Sequence, residues 1–152
     1  MTSNQRRTIA PALLTLLVAC GGDDPAAPDP AALVLTFIPT PVNTIGVSSI
    51  CMGATAKTWV YDLRIENTGG EPFEVSSWSW SYSASSDFSS PATQALGGPS
   101  SFTAAFGVSA IAPGQTVERE LCTALVVDQG WITYSVTGDA GSFTSPVVHL
   151  LP

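Results

Sequence analysis

The stretch that decides the fold is Trp59-Val60-Tyr61-Asp62-Leu63-Arg64-Ile65-Glu66, followed at once by Asn67-Thr68-Gly69-Gly70. Its odd positions are large and apolar or aromatic, and three of its even positions are charged. Successive side chains of a strand point to opposite faces, so this alternation marks a strand with one buried and one wet face. The Asn-Thr-Gly-Gly that follows supplies turn chemistry. The same reading extends outward. Residues 33–38 form a short β-favouring run closed by Pro39-Thr40-Pro41, and residues 73–82 form a second long strand. Ala112-Pro113-Gly114-Gln115 is a turn that launches a strand over 116–127. Residues 131–137, the turn Gly138-Asp139-Ala140-Gly141 and residues 142–150 read as a closing hairpin. Beyond the first 20 positions no window shows the 3.6-residue period of an amphipathic helix. About seven strands in roughly 115 residues predict an all-β fold, an antiparallel two-sheet sandwich.

Two pieces of this pattern carry a family resemblance. The strand ending in Glu66-Asn67-Thr68-Gly69-Gly70, and later Ile111-Ala112-Pro113-Gly114-Gln115-Thr116, resemble the immunoglobulin-like modules of bacterial envelope and secreted proteins, including cell-adhesion-related domains. The resemblance spans residues 33–152 and implies an immunoglobulin-like sandwich. The segment from Ser83 to Ser101 departs from it, being longer and richer in Ser, Gly and Pro than a simple connection. Cys51 and Cys122 also do not flank a tryptophan at antibody-domain spacing, so no binding residues are carried over.

The N-terminus has the parts of an export signal. Arg6 and Arg7 precede an apolar run over residues 9–18, interrupted by Pro11 and Thr15. That run falls well short of the roughly 20 residues a membrane-spanning helix needs. Leu17-Val18-Ala19-Cys20 resembles the lipobox of bacterial lipoproteins. The resemblance implies acylation of Cys20, with palmitate among the chains, cleavage before it, and a membrane anchor of two or three chains. An ordinary signal peptide with an incidental Cys20 is the alternative, and the flanks of Arg6-Arg7 match a twin-arginine signal poorly. Gly21-Gly22-Asp23-Asp24 and the prolines to Pro30 have the composition of an unfolded spacer. The chain thus divides into a signal peptide (1–19), a lipidated cysteine with its tether (20–32), and one β-domain (33–152). Gly21, rather than aspartate, after the cysteine implies the outer membrane under the sorting rule of some enteric bacteria.

The 152-residue chain holds 12 acidic and 5 basic residues. Removal of the signal takes two of the basic ones and leaves a formal charge of −9. Such a charge opposes binding to nucleic acid and to anionic head groups. With Cys20 assigned to lipid, Cys51 and Cys122 remain, and an even remainder in an exported chain reads as one disulfide. Two buried free thiols are the alternative. A metal site lacks support, because there is no CxxC pattern and only one histidine.

Trp78, Trp80 and Tyr82 share one strand face, with Ser77, Ser79 and Ser81 on the other. The row reads either as core filling, because aromatic rings bury large area, or as a stacking platform for sugar rings. The segment from Ser83 to Ser101, with Asp87 and Phe88, reads as a long loop that either binds a ligand or merely connects. No catalytic motif is present. His149 sits in an apolar strand, and the same-face carboxylates Asp62 and Glu66, or Glu118 and Glu120, read as solvated surface. A calcium site from Asp23, Asp24 and Asp29 would require an ordered tether. The sequence therefore points to a non-catalytic envelope module without a cofactor, binding an envelope protein or polysaccharide. Carbohydrate binding through the aromatic row, or an accessory place in an enzyme assembly, are the alternatives.

Overall fold

The computed structural model describes residues 26–47, 51 and 57–152. The Trp59 stretch lies in β3 (Lys57–Asn67), where Trp59, Tyr61, Leu63 and Ile65 are all buried as their alternation requires. β3 is the centre of one layer. Along one edge it pairs antiparallel with β7 (Thr116–Leu125) over its whole working length. Along the other edge two strands follow each other, first β1 (Leu33–Ile38) and then β2 (Val42–Val47). Pro39 and Pro41 separate them, since a proline has no N–H to give a ladder.

The second layer is built on β8 (Gly130–Gly138). On one side it pairs with β4 (Phe73–Ser83), which in turn pairs with the edge strand β5 (Ala92–Gly97). On the other side it pairs with β9 (Gly141–Thr144) and then β10 (Val148–Leu151). The expected closing hairpin is thus present but kinked. Ser145 Oγ accepts from Tyr134 N at 3.0 Å and Ser145 N donates to Tyr134 O at 2.9 Å, after which Pro146 interrupts the ladder. An irregularity of this kind disrupts the ladder locally and bends the strand, while the Ser145 groups stay paired with Tyr134.

β2 joins the layers. Its first residues, Val42 and Asn43, pair parallel with β10, and its later residues pair with β3. The result is an open, mixed, all-β arrangement in which the two layers face each other across one core. Phe37 of β1 lies 5.7 Å (ring centroids) from Tyr134 of β8, and the Tyr61 and Tyr134 hydroxyls meet at 2.9 Å across the gap.

The two motifs that carry the resemblance meet in one corner. Asn67 is fully buried. Its Nδ2 donates to Glu71 O (2.8 Å) and Ile111 O (2.9 Å), while its Oδ1 accepts from Gly69 N (3.0 Å) and Ala32 N (3.2 Å). Its backbone N–H and C=O pair with Gln115 O and Gly114 N. Gly69 must lack a side chain here, because a Cβ would lie 2.1 Å from Pro30 O. Gly70 N donates to Asp29 O and Thr68 N to Ala32 O, so the end of the expected tether, residues 29–32, is fastened to this corner.

Several expectations need correction. Among the described residues there are ten strands rather than about seven, and the β2–β10 pair is parallel. The short strand β6 (Ala110–Ile111) pairs with the start of β4. The segment from Ser83 to Ser101 is not one long loop, since it contains β5 and the first turn of a helix, α1 (Pro99–Phe106). Pro99 opens that helix, where its missing N–H costs nothing. Gly107, at φ +81°, closes it by donating to Thr103 O. Eight residues with Phe102 as the buried contact are too few to display a helical period.

Candidate functional site

The aromatic row lies on the inner face of β4. Trp78, Trp80 and Tyr82 stand opposite Val136, Tyr134 and Ile132 of β8, while Ser77, Ser79 and Ser81 face outward beside Thr137, Ser135 and Thr133. The three rings nevertheless have three different surroundings. Trp78 is buried, with Phe102 and Phe106 of α1 packed edge-on at 5.9 and 5.6 Å, and its Nε1 donates to Ser101 Oγ at 2.9 Å. Trp80 is half-buried, and its Nε1 donates to Gln94 Oε1 on β5 at 3.0 Å. Tyr82 is partly buried against Gly130, where an added Cβ would lie 2.2 Å from its ring. The Tyr82 hydroxyl is shielded from solvent and has no hydrogen-bond partner among the described residues.

Trp80 borders a cleft of about 250 Å³ between the layers. One wall is Trp78 and Trp80 of β4 with Gln94 and Leu96 of β5. The other is the stretch from Leu121 to Ala124 of β7, and Tyr134 of β8 also lines it. None of these residues is charged. Thr123, Tyr61 and Tyr134 form a buried hydroxyl cluster beside the cleft, with Tyr61 Oη–Thr123 Oγ1 at 2.7 Å. Burial, which disfavours the phenolate, is the main reason that Tyr61 is held well above the ordinary tyrosine range, with the neighbouring Tyr134 adding to the shift. Tyr134 is raised for the same primary reason. The opposite opening, about 500 Å³ and mostly apolar, lies between β1 and the bulge around Pro146.

The other sequence-derived residues do not converge on this cleft, with one exception. Cys122 lines it and is joined to Cys51 in a disulfide, with Cα atoms 5.8 Å apart. Cys20, Asp23 and Asp24 lie outside the described residues. Asp87 is exposed and held at about 2, chiefly by the Ser85 hydroxyl and the Ser89 N–H, in a local turn. His149 stacks flat on Trp131 at 4.6 Å on the outer face, and its Nε2 is buried without a hydrogen-bond partner among the described residues. Asp62, Glu66, Glu118 and Glu120 lie on the outer face of the first layer, where Glu118 pairs with Arg64 at 2.8 Å. Among the described residues no cluster of His, Cys, Asp and Glu is suited to hold a metal. Gln94, Thr123 and Tyr134 were not singled out by sequence, and only the strand register brings them to Trp80.

No protein-family profile matches the chain, and no curated protein does. Solved structures of similar shape include two of low identity. One is described as an ApaA protein from Bordetella pertussis, with 19% identity, a TM-score of 0.48, and coverage of 82% of this chain and 97% of that one. The other is a structural-genomics target with 16% identity, a TM-score of 0.47, and coverage of 83% and 89%. Nothing about the site follows from likenesses this distant.

Proposed function

We propose that the chain is an exported bacterial lipoprotein, held at the outer membrane by lipid on Cys20, whose β-domain is a non-catalytic interaction module for an envelope protein or polymer. One observation carries the reading. The Cys51–Cys122 bridge uses the other two cysteines, so the unbridged cysteine is the one that ends the lipobox-like stretch. A disulfide also fits an oxidising compartment outside the cytosol. The fastening of residues 29–32 to the Asn67 corner leaves residues 21–28 as the spacer between anchor and domain. The charge of the processed chain fits a domain displayed near a membrane without adhering to its head groups.

The test is palmitate labelling of the full chain in a bacterial host, followed by fractionation. Wild type takes up label and sediments with membranes, while Cys20→Ala takes up none and is released. An alanine form that stays with the membrane, or a wild type without label, overturns the anchor. Turnover of glycoside or ester substrates by the purified protein overturns the non-catalytic reading.

A further inference from the structure

We infer that the cleft between β4–β5 and β7 binds a single neutral sugar ring, stacked on Trp80. The gap between the layers is filled at Trp78 by protein itself, with Phe102 and Phe106 of α1 supplying two aromatic edges. The helix stops at Gly107, and Trp80, the next ring in the row and the less buried one, borders the open cleft that Trp78 also lines. A ring-shaped guest there takes the place over Trp80 that the phenylalanines take over Trp78. Gln94 holds the Trp80 indole by its N–H, so the ring face is set before any guest arrives. Such preorganisation lowers the ordering cost of binding.

The lining determines the chemistry of the guest. It carries no charge within a strongly acidic chain, so an anion is repelled and a cation finds no partner in the cleft. The polar groups at hand are the Gln94 amide nitrogen, whose oxygen is already engaged by Trp80, and the hydroxyls of Thr123 and Tyr134. An aromatic face with a few amide and hydroxyl groups suits a pyranose, which is apolar on its C–H face and polar around its rim. The two hydroxyls already pair with Tyr61 and keep capacity for a further bond, and a purely apolar guest would use neither that capacity nor the Gln94 amide nitrogen. A volume of about 250 Å³ suits one ring and not a bound chain, so the guest is a terminal or branching residue of a glycan. Tyr82 does not line the cleft, and Trp78, which does, is already covered by Phe102 and Phe106, so the stacking face is that of Trp80 and the three-ring stripe narrows to one stacking ring and its neighbours.

This inference rests on the domain being a non-catalytic binding module and is independent of the anchor. The full-length lipidated protein in a polyether detergent, chosen to avoid glycoside head groups, is titrated with methyl pyranosides of glucose, galactose, mannose and N-acetylglucosamine. Tryptophan fluorescence and saturation-transfer NMR report binding. At least one sugar gives a saturable change. Trp80→Ala weakens it about tenfold or more, Gln94→Ala weakens it severalfold, and Tyr82→Phe leaves it unchanged. The unfolding midpoint of each variant is measured alongside. Because Gln94 is exposed, its variant keeps the test readable if Trp80→Ala fails to fold. No saturable change with any of these sugars, binding indifferent to Trp80 and Gln94, or equal binding of cyclohexanol each overturns the inference. Repeating the titration on full-length Cys20→Ala separates its failure from failure of the anchor.

Discussion

Replacing Asn67 with alanine removes four side-chain hydrogen bonds from a site with no solvent exposure. The bond to Ile111 O is fully buried, and an orphaned buried partner costs about 2 kcal/mol. The bonds to Glu71 O, Gly69 N and Ala32 N are part-buried, so water regains some access and each costs about 0.5–1 kcal/mol. The total is about 4 kcal/mol, a large share of the roughly 5–15 kcal/mol that holds a domain together. With a urea slope of about 1–3 kcal/mol/M the midpoint falls by about 2 M. Asn67→Asp separates hydrogen bonding from simple loss of volume. Its carboxylate keeps the two acceptor bonds but faces the Glu71 and Ile111 carbonyls, which donate nothing, and burial adds to the penalty on the charged form. The folded pKa of that aspartate is therefore raised. Stability is then retained at acid pH and falls as the pH rises through the carboxyl range. Equilibrium unfolding followed by tryptophan fluorescence at acid and neutral pH measures both variants. If Asn67→Ala costs less than about 1 kcal/mol, or if Asn67→Asp behaves alike at both pH values, the corner does not hold the fold in the way argued.

Two further outcomes follow from the core. Tyr61 and Tyr134 are raised above the ordinary tyrosine range near 10 by burial, so their contribution to stability is complete below that range and is lost as pH rises through the folded values. Near-ultraviolet titration shows late-ionising phenols, and Tyr61→Phe costs about 1 kcal/mol at neutral pH while blunting the alkaline loss; an unchanged alkaline profile counts against the cluster. Reduction of the Cys51–Cys122 bridge, which spans 71 positions, destabilises by about 4 kcal/mol on the chain-entropy account. The mass rises by two hydrogens, and no mass change means the thiols were free.

The fold was legible where one layer keeps a wet face. From Trp59 to Asn67 of β3 every second residue is buried and the residues between are wholly or partly exposed, so the alternation of apolar and charged residues reports the layer directly. The corner at Asn67 was legible as two turns, because Asn, Gly and Pro punctuate a chain locally. That the two turns bond to each other was not legible, since no local rule links positions 67 and 115. β2 escaped because its residues divide between two layers, so no single face governs its sequence. β5 escaped because an edge strand mostly exposed to solvent has little reason to alternate. In α1 a proline start and a glycine stop were visible, but the Ser, Gly and Pro that mark helix ends also mark loops.

For the site, the period of two placed Trp78, Trp80 and Tyr82 on one face, and the structure agrees. What the period cannot give is depth. Depth is set by what stands across the core, and here that changes along a single strand. α1 stands over Trp78, an open cleft adjoins Trp80, and Gly130 lies against Tyr82. Surroundings thus differ ring by ring: Trp78 and Trp80 both line the cleft with their indole N–H groups held, and Trp80 is the less buried of the two. Its polar neighbours come from β5, β7 and β8, so a functional stripe read from one strand is at most one wall of a site. The other wall is supplied by strand register and by how far the two layers part at their open edge.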